Sequence, residues 1–182
     1  FIQAESEIGA INMLLGASAT GVRAMTSSSG PGISLMQEGF SYIAGSEVPG
    51  LVVNIMRCGP GLGGISPTQG DYTQAVHGGG HGDYRNIVLA PASVQEAIDL
   101  MGLSFDLAEK YRSICVVLSD GSIGQMMEPC ELPPMQPLKT SFPEWAVRGE
   151  GGKTRNVLSS ISLDTSDQEK TNNRVVQPWL AN

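Results

Sequence analysis

The chain has 182 residues, a net charge of −7, and a composition that is 41% apolar but only 5% aromatic. That length supports one domain of ordinary size with room for an appendage, and the acidic balance without a basic run argues against a nucleic-acid surface. No apolar run is long enough to span a bilayer, no signal peptide is visible, and the three cysteines, Cys58, Cys115 and Cys130, form no CxxC pair. Neither a zinc nor an iron–sulfur site is therefore encoded, and reduced thiols in a cytoplasmic protein are expected.

In chain order, residues 1–3 read as the tail of a strand. Because the first residue is Phe1 rather than Met, an upstream segment and a first strand are expected to be missing. Residues 5–19 read as a helix, with Ile8, Ile11, Leu14, Leu15 and Ser18 on one face and Gly21 as its stop. Residues 23–27 form a short strand and residues 33–45 a second helix carrying Leu35, Met36, Phe40 and Ile43. The run Leu51-Val52-Val53-Asn54-Ile55-Met56 suits a buried parallel strand. A long glycine-rich segment over residues 58–84 leads to a strand within 86–90. Ser93 and Glu96 make a capping box for a helix over 94–111, and residues 114–119 are the last clear strand. Strands separated by helices predict an α/β fold, a three-layer αβα arrangement with a mostly parallel sheet. From Pro129 prolines break regular structure, and beyond Gly149 the chain is polar. Residues 1–128 are thus expected to form the domain, and residues 129–182 a linker or arm toward a second domain.

Candidate chemistry gathers at the strand ends, where open α/β sheets bind ligands. Glu5 and Glu7 lie where a helix starts. Acidic residues there can simply complement the helix dipole, worth about 0.3–1 kcal/mol each, or one can be a buried carboxylate facing a bound heterocycle. The turn Ser27-Ser28-Ser29-Gly30-Pro31-Gly32 can bind an anion through free N–H groups, or can serve tight helix–strand packing; it is neither a P-loop nor GxGxxG. Arg57, ending a strand, can grip a carboxylate or form a structural ion pair. His77, His81 and Asp83 have the composition of a metal triad. The spacer Gly78-Gly79-Gly80 makes convergence of the two rings unfavourable, so a loop lining a channel or facing a partner is the better reading.

Several strings are more specific. "SSGPGISLMQEG", "RCGPGLGG", "GGGHGDYR", "LAPASVQEA" and "LSDGSIGQMM" resemble the α subunit of 2-oxoacid:ferredoxin oxidoreductases over roughly residues 1–165. The likeness is strongest to the branched-chain, 2-oxoisovalerate type, with the 2-oxoglutarate type next. A more distant likeness links the Glu, helix, strand and Ser-Gly-Pro-Gly turn to the pyrimidine-binding domain of acetolactate synthases.

The resemblance implies a pyrimidine-binding module for thiamine diphosphate. A β subunit would supply Mg²⁺ and the diphosphate site, and iron–sulfur clusters would lie in partner subunits. The reaction would take a 2-oxoacid, coenzyme A and oxidised ferredoxin to acyl-CoA, carbon dioxide and reduced ferredoxin. Glu7, not Glu5, matches the cofactor glutamate through the "SEIGA" string, and would favour the imino tautomer whose exocyclic nitrogen takes the thiazolium proton. Arg57 matches an Arg near the substrate carboxylate or carbonyl, and Ser28, Ser29, Gly30 and Pro31 would shape the pocket by the pyrimidine. The family's Tyr-Pro-Ile-Thr-Pro segment, whose Thr contacts substrate, is absent, so the isolated chain is expected to be inactive. A non-redox thiamine diphosphate enzyme, a nucleotide-binding module and an assembly-only paralogue are the competing readings.

Overall fold

The computed structural model describes residues 1–137, 140–149 and 155–180. Its centre is a four-stranded, wholly parallel sheet in the order β1-β2-β4-β3. The strands are β1 (Met25–Ser28), β2 (Gly50–Met56), β3 (Ile87–Leu89) and β4 (Ile114–Asp120). Both central strands read as mainly apolar runs, broken by Asn54 in β2 and ending in Ser119 and Asp120 in β4, because helices cover both faces. Val52, Met56, Val116 and Leu118 face one layer, formed by α1 (Glu7–Ala19), α3 (Gln37–Gly45) and α4 (Tyr72–His77). Leu51, Cys115 and Val117 face the other, where α5 (Val94–Tyr111) packs through Met101, Phe105 and Ala108. The three-layer αβα expectation holds. Phe40 anchors the first core at 1% exposure; truncating a buried phenylalanine to alanine costs about 3–5 kcal/mol.

Local signals explain most boundaries. Ser6 caps α1 by accepting Gly9 N at 3.1 Å, so the helix begins at Glu7 and Glu5 lies outside it. Ser93 caps α5 through Glu96 N at 3.1 Å, while the Glu96 carboxylate returns to Ala92 N at 2.7 Å. Gly21, with φ 85°, follows the C-cap of α1 as expected.

Four expectations need correction. Residues 1–3 form no strand; Phe1 and Ile2 are fully or largely exposed. The second helix is two helices, α2 (Pro31–Leu35) and α3, broken at Met36. Gln37 spans the break, donating to Ile33 O at 3.1 Å and accepting Gly79 N at 2.9 Å. The glycine-rich stretch contains α4, which also carries the buried Ala75. The polar tail contains α7 (Thr165–Leu180), which lies back on α3 where no regular element was expected. The short helix α6 (Gly121–Gln125) completes the described elements. Among the described residues, no helix is long and apolar enough to cross a membrane.

Candidate functional site

The carboxyl ends of β1 and β2 bring the sequence-derived residues together around one turn. β1 ends at Ser28, which is in register with Asn54 of β2, and Arg57 follows β2 directly. Between β1 and α2 the chain turns through Ser29 and Gly30, with Pro31 as the first helical residue, a position its fixed φ suits. The N–H groups of Gly32, Ile33 and Ser34 donate to Ser29 O and Gly30 O. These three are therefore spent inside the turn, where they hold it closed for tight helix–strand packing.

What the two glycines provide is room. A Cβ on Gly32 would lie 2.2 Å from Ser28 Oγ, 2.8 Å from Glu7 Cγ and 2.9 Å from Glu7 Oε1. Those distances are shorter than any real carbon contact, so only a hydrogen fits. A Cβ on Gly30 would lie 2.8 Å from Arg57 Nε, and Gly30 has φ 52° with ψ −121°, a conformation that side chains disfavour. Glu7 and Ser28 thus pack on one glycine of the turn, and Arg57 packs on the other. Ser29 and Pro31, half-buried, shape the turn and touch neither charged group in these contacts.

Among the described residues, neither charged side chain has a hydrogen-bond or ion-pair partner. Glu7 is half-buried, and among the described residues no hydrogen bond or ion pair ends on its carboxylate. Arg57 Nε is buried without an acceptor. Leaving buried polar or charged groups unpaired is costly, so both are suited to a bound ligand. A cavity of about 550 Å³ lies between α1 and β1, lined by Glu7, Ser28, Leu14, Met25 and Met36 among others. Arg57 meets the turn from Gly30 and does not line this cavity. Glu5 is exposed and lines the same cavity, but it meets neither glycine of the turn.

A carboxylate at the lip of a partly apolar cavity, beside a serine hydroxyl, fits an aminopyrimidine ring, which offers both stacking surface and a ring nitrogen. The described residues that fit thiamine diphosphate are thus Glu7, Ser28 and the space kept by Gly32. In the histidine loop His77 and His81 are exposed, and no group of three or more potential metal ligands occurs among the described residues. Its glycines dock on α3, through Gly79 N to Gln37, and on Tyr84, through Gly80 N to Tyr84 Oη at 3.0 Å. Burial pushes the Tyr84 phenol above its ordinary value, against the lowering effect of the Gly80 and Gly79 N–H groups.

Sequence reasoning missed the polar groups beneath the site. Asn54 and Asp120, both buried, bind Asp71 and Gln69. A polar residue inside an otherwise apolar strand run was the only available signal.

Known proteins resemble the chain in sequence and in fold. A family model described as pyruvate flavodoxin/ferredoxin oxidoreductase, thiamine diP-bdg matches residues 1–176. Ketoisovalerate oxidoreductase subunit VorB of Methanothermobacter thermautotrophicus is 55% identical over 172 residues, 94% of this chain and 49% of that protein. 2-oxoglutarate synthase subunit KorA of Archaeoglobus fulgidus is 42% identical over 175 residues, covering 93% of this chain and 50% of that protein. A solved 2-oxoglutarate:ferredoxin oxidoreductase from Magnetococcus marinus, with 2-oxoglutarate, coenzyme A and succinyl-CoA bound, superposes with a TM-score of 0.79 at 28% identity. It covers 98% of this chain and 36% of that one. The chain spans about half the length of the curated relatives it matches. It belongs to the thiamine diphosphate-binding domain family of the pyruvate flavodoxin/ferredoxin oxidoreductases.

Proposed function

We propose that the chain is the pyrimidine-binding part of the α subunit of a 2-oxoacid:ferredoxin oxidoreductase that acts on 2-oxoisovalerate or another branched-chain 2-oxoacid. The observation that carries this reading is the pair of partnerless charges, Glu7 and Arg57, packed on the two glycines of one turn. Bound at Glu7, thiamine diphosphate supplies an electron sink for loss of carbon dioxide from a 2-oxoacid. Glu7 holds a proton between its carboxylate and the ring nitrogen of the aminopyrimidine. Ser28 and the Gly32 backbone fix the side chain of Glu7, and Ser29, Gly30 and Pro31 hold the turn against the ring. Arg57 binds the substrate carboxylate with its fork of N–H donors.

The rest of the catalyst comes from elsewhere. A β subunit carries Mg²⁺ and the diphosphate site, an iron–sulfur subunit takes two electrons to ferredoxin, and coenzyme A accepts the acyl group. The assembly is a cytoplasmic heteromer. Residues 1–128 form the pyrimidine-binding domain and residues 129–182 the connection toward a further domain, in keeping with relatives twice as long.

Glu7→Gln in the assembled enzyme tests the central assignment. It keeps the shape and removes the proton-holding charge, so kcat should fall by about 10²–10⁴-fold, the usual contribution of a positioned acid–base group. The circular dichroism spectrum should stay unchanged. Turnover at the wild-type rate would remove Glu7 from the chemistry. The choice of a branched-chain acid rests on the higher identity to the ketoisovalerate relative. A 2-oxoglutarate enzyme is the second reading, favoured by the solved structure. A panel of 2-oxoacids on the native complex decides between them through kcat/KM.

A further inference from the structure

Two buried polar residues of the sheet, Asn54 and Asp120, reach one short segment. Asn54, 1% exposed, lies between Val52 and Met56 on a face that is otherwise apolar, and donates through Nδ2 to Asp71 Oδ2 at 3.0 Å. Asp120, 7% exposed, ends β4 beside Met56. One of its oxygens caps α6 through Ser122 N at 2.9 Å and Ile123 N at 3.0 Å; the other accepts Gln69 Nε2. A polar side chain at such a position costs stability unless it is paired. Each has one side-chain partner within residues 67–71, Asp71 for Asn54 and Gln69 for Asp120, so both central strands are tied to that segment.

The same segment has a third attachment. Pro67 forms an antiparallel bridge with Arg57, and Pro67 also lies against Gly121, where a Cβ would meet its ring at 3.4 Å. Arg57 needs such support. Its Nε has no hydrogen-bond partner, and its guanidinium rests on a glycine, so no side-chain bond to Nε aims it. Its direction depends on where its backbone is held.

We propose that residues 67–71 are a brace that aims Arg57 at the substrate carboxylate, with Gln69 as a positioning residue acting through its bond to Asp120. The proposal rests on the reading of Arg57 as the carboxylate anchor. An arginine fork binds a carboxylate through two parallel N–H donors, a geometry lost on a small shift of the backbone. Loosening the brace weakens substrate binding and leaves the later chemistry alone.

The test compares wild type, Arg57→Ala, Gln69→Ala and the double variant in the assembled enzyme with its full-length subunit. Gln69 is exposed, so alanine there opens no cavity, and a thermal melt checks the fold. Arg57→Ala should raise KM for the 2-oxoacid by roughly a hundredfold, and Gln69→Ala by about tenfold, with kcat within about twofold and KM for coenzyme A unchanged. The double variant should be no worse than Arg57→Ala alone, because both changes act on one grip. Gln69→Glu, which sets two carboxylates together, should raise the same KM beyond the alanine value. An unchanged KM in Arg57→Ala would overturn the anchor reading and the brace with it. A normal KM in Gln69→Ala, a full further tenfold in the double variant, or an equal effect on coenzyme A would overturn the brace and leave Arg57 in place.

Discussion

At the scale of the residue, Gly30 and Gly32 sit two positions apart and make room for opposite charges. An alanine methyl at position 32 must displace Glu7 or Ser28, since the nearest atoms would stand 2.2 and 2.8 Å away. Misplacing a catalytic group by about 1 Å can cost on the order of 10²-fold in rate. Gly32→Ala should therefore lower kcat by that order and weaken thiamine diphosphate binding. An alanine at position 30 meets Arg57 Nε instead, and must also hold φ near 52°, a strain of about 1–3 kcal/mol. Gly30→Ala should raise KM for the 2-oxoacid while kcat changes less. Steady-state kinetics of the two variants, side by side, check the division of labour. If both variants changed the same constant by the same factor, the turn would not separate cofactor from substrate.

At the scale of the element, the strands and α5 were legible and the breaks were not. β2 and β4 declare themselves because burial on both faces leaves a mainly apolar run, and α5 because Ser93 and Glu96 bracket its first turn. The turn after β1 was legible as a turn, and the "SEIGA" and "SSGPG" strings located the Glu7 region. What Gly30 and Gly32 accommodate was not legible, since Glu7 and Arg57 reach them from elements 25 and 27 residues away on the chain. The second helix breaks at Met36, a point that periodicity does not record. Asp120 shows the same limit, as its partner Gln69 is 51 residues distant. Its carboxyl is held below the ordinary aspartate value, first by the Ile123 N–H. Burial opposes this, and the Gln69 amide and Ser122 N–H add to the lowering. A depressed folded value means stability that is fully present above the unfolded pKa, about 3.9, and lost as pH falls through the folded one. The stability gap between wild type and Asp120→Asn should thus stay constant from neutral pH to about pH 5 and close in stronger acid. Denaturant unfolding across a pH series measures it; a gap unchanged at pH 2 would contradict the assignment.

At the scale of the whole molecule, the polar tail is tied to the end of the sheet away from the candidate site. Glu47 begins the approach to β2, and Arg112 ends α5 just before β4, so both mark the amino edge of the sheet. Arg112 Nε donates to Glu47 O at 2.7 Å and stacks on Trp145 at 4.9 Å. Arg174 of α7 meets the Glu47 carboxylate at 3.0 Å, and Val175 packs on the core. The helix is otherwise held by local polar pairs, such as Lys170 with Asp167 at 2.8 Å and Gln168 with Asn172 at 2.9 Å. Such pairs leave no apolar stripe, which is why the sequence read as a linker. The Arg174 side chain is 55% exposed, so the bridge adds at most about 1 kcal/mol and weakens with salt. Arg174→Ala should therefore hardly change global unfolding. It should instead speed hydrogen exchange across α7 alone, because a helix with few buried apolar contacts opens locally before the sheet does. Exchange in β2 and β4 should stay at the wild-type rate, and turnover should be unaffected. Equal acceleration in the strands would show that α7 is part of the cooperative core, and no acceleration in α7 would show that Val175 and its neighbours hold it without the ion pair.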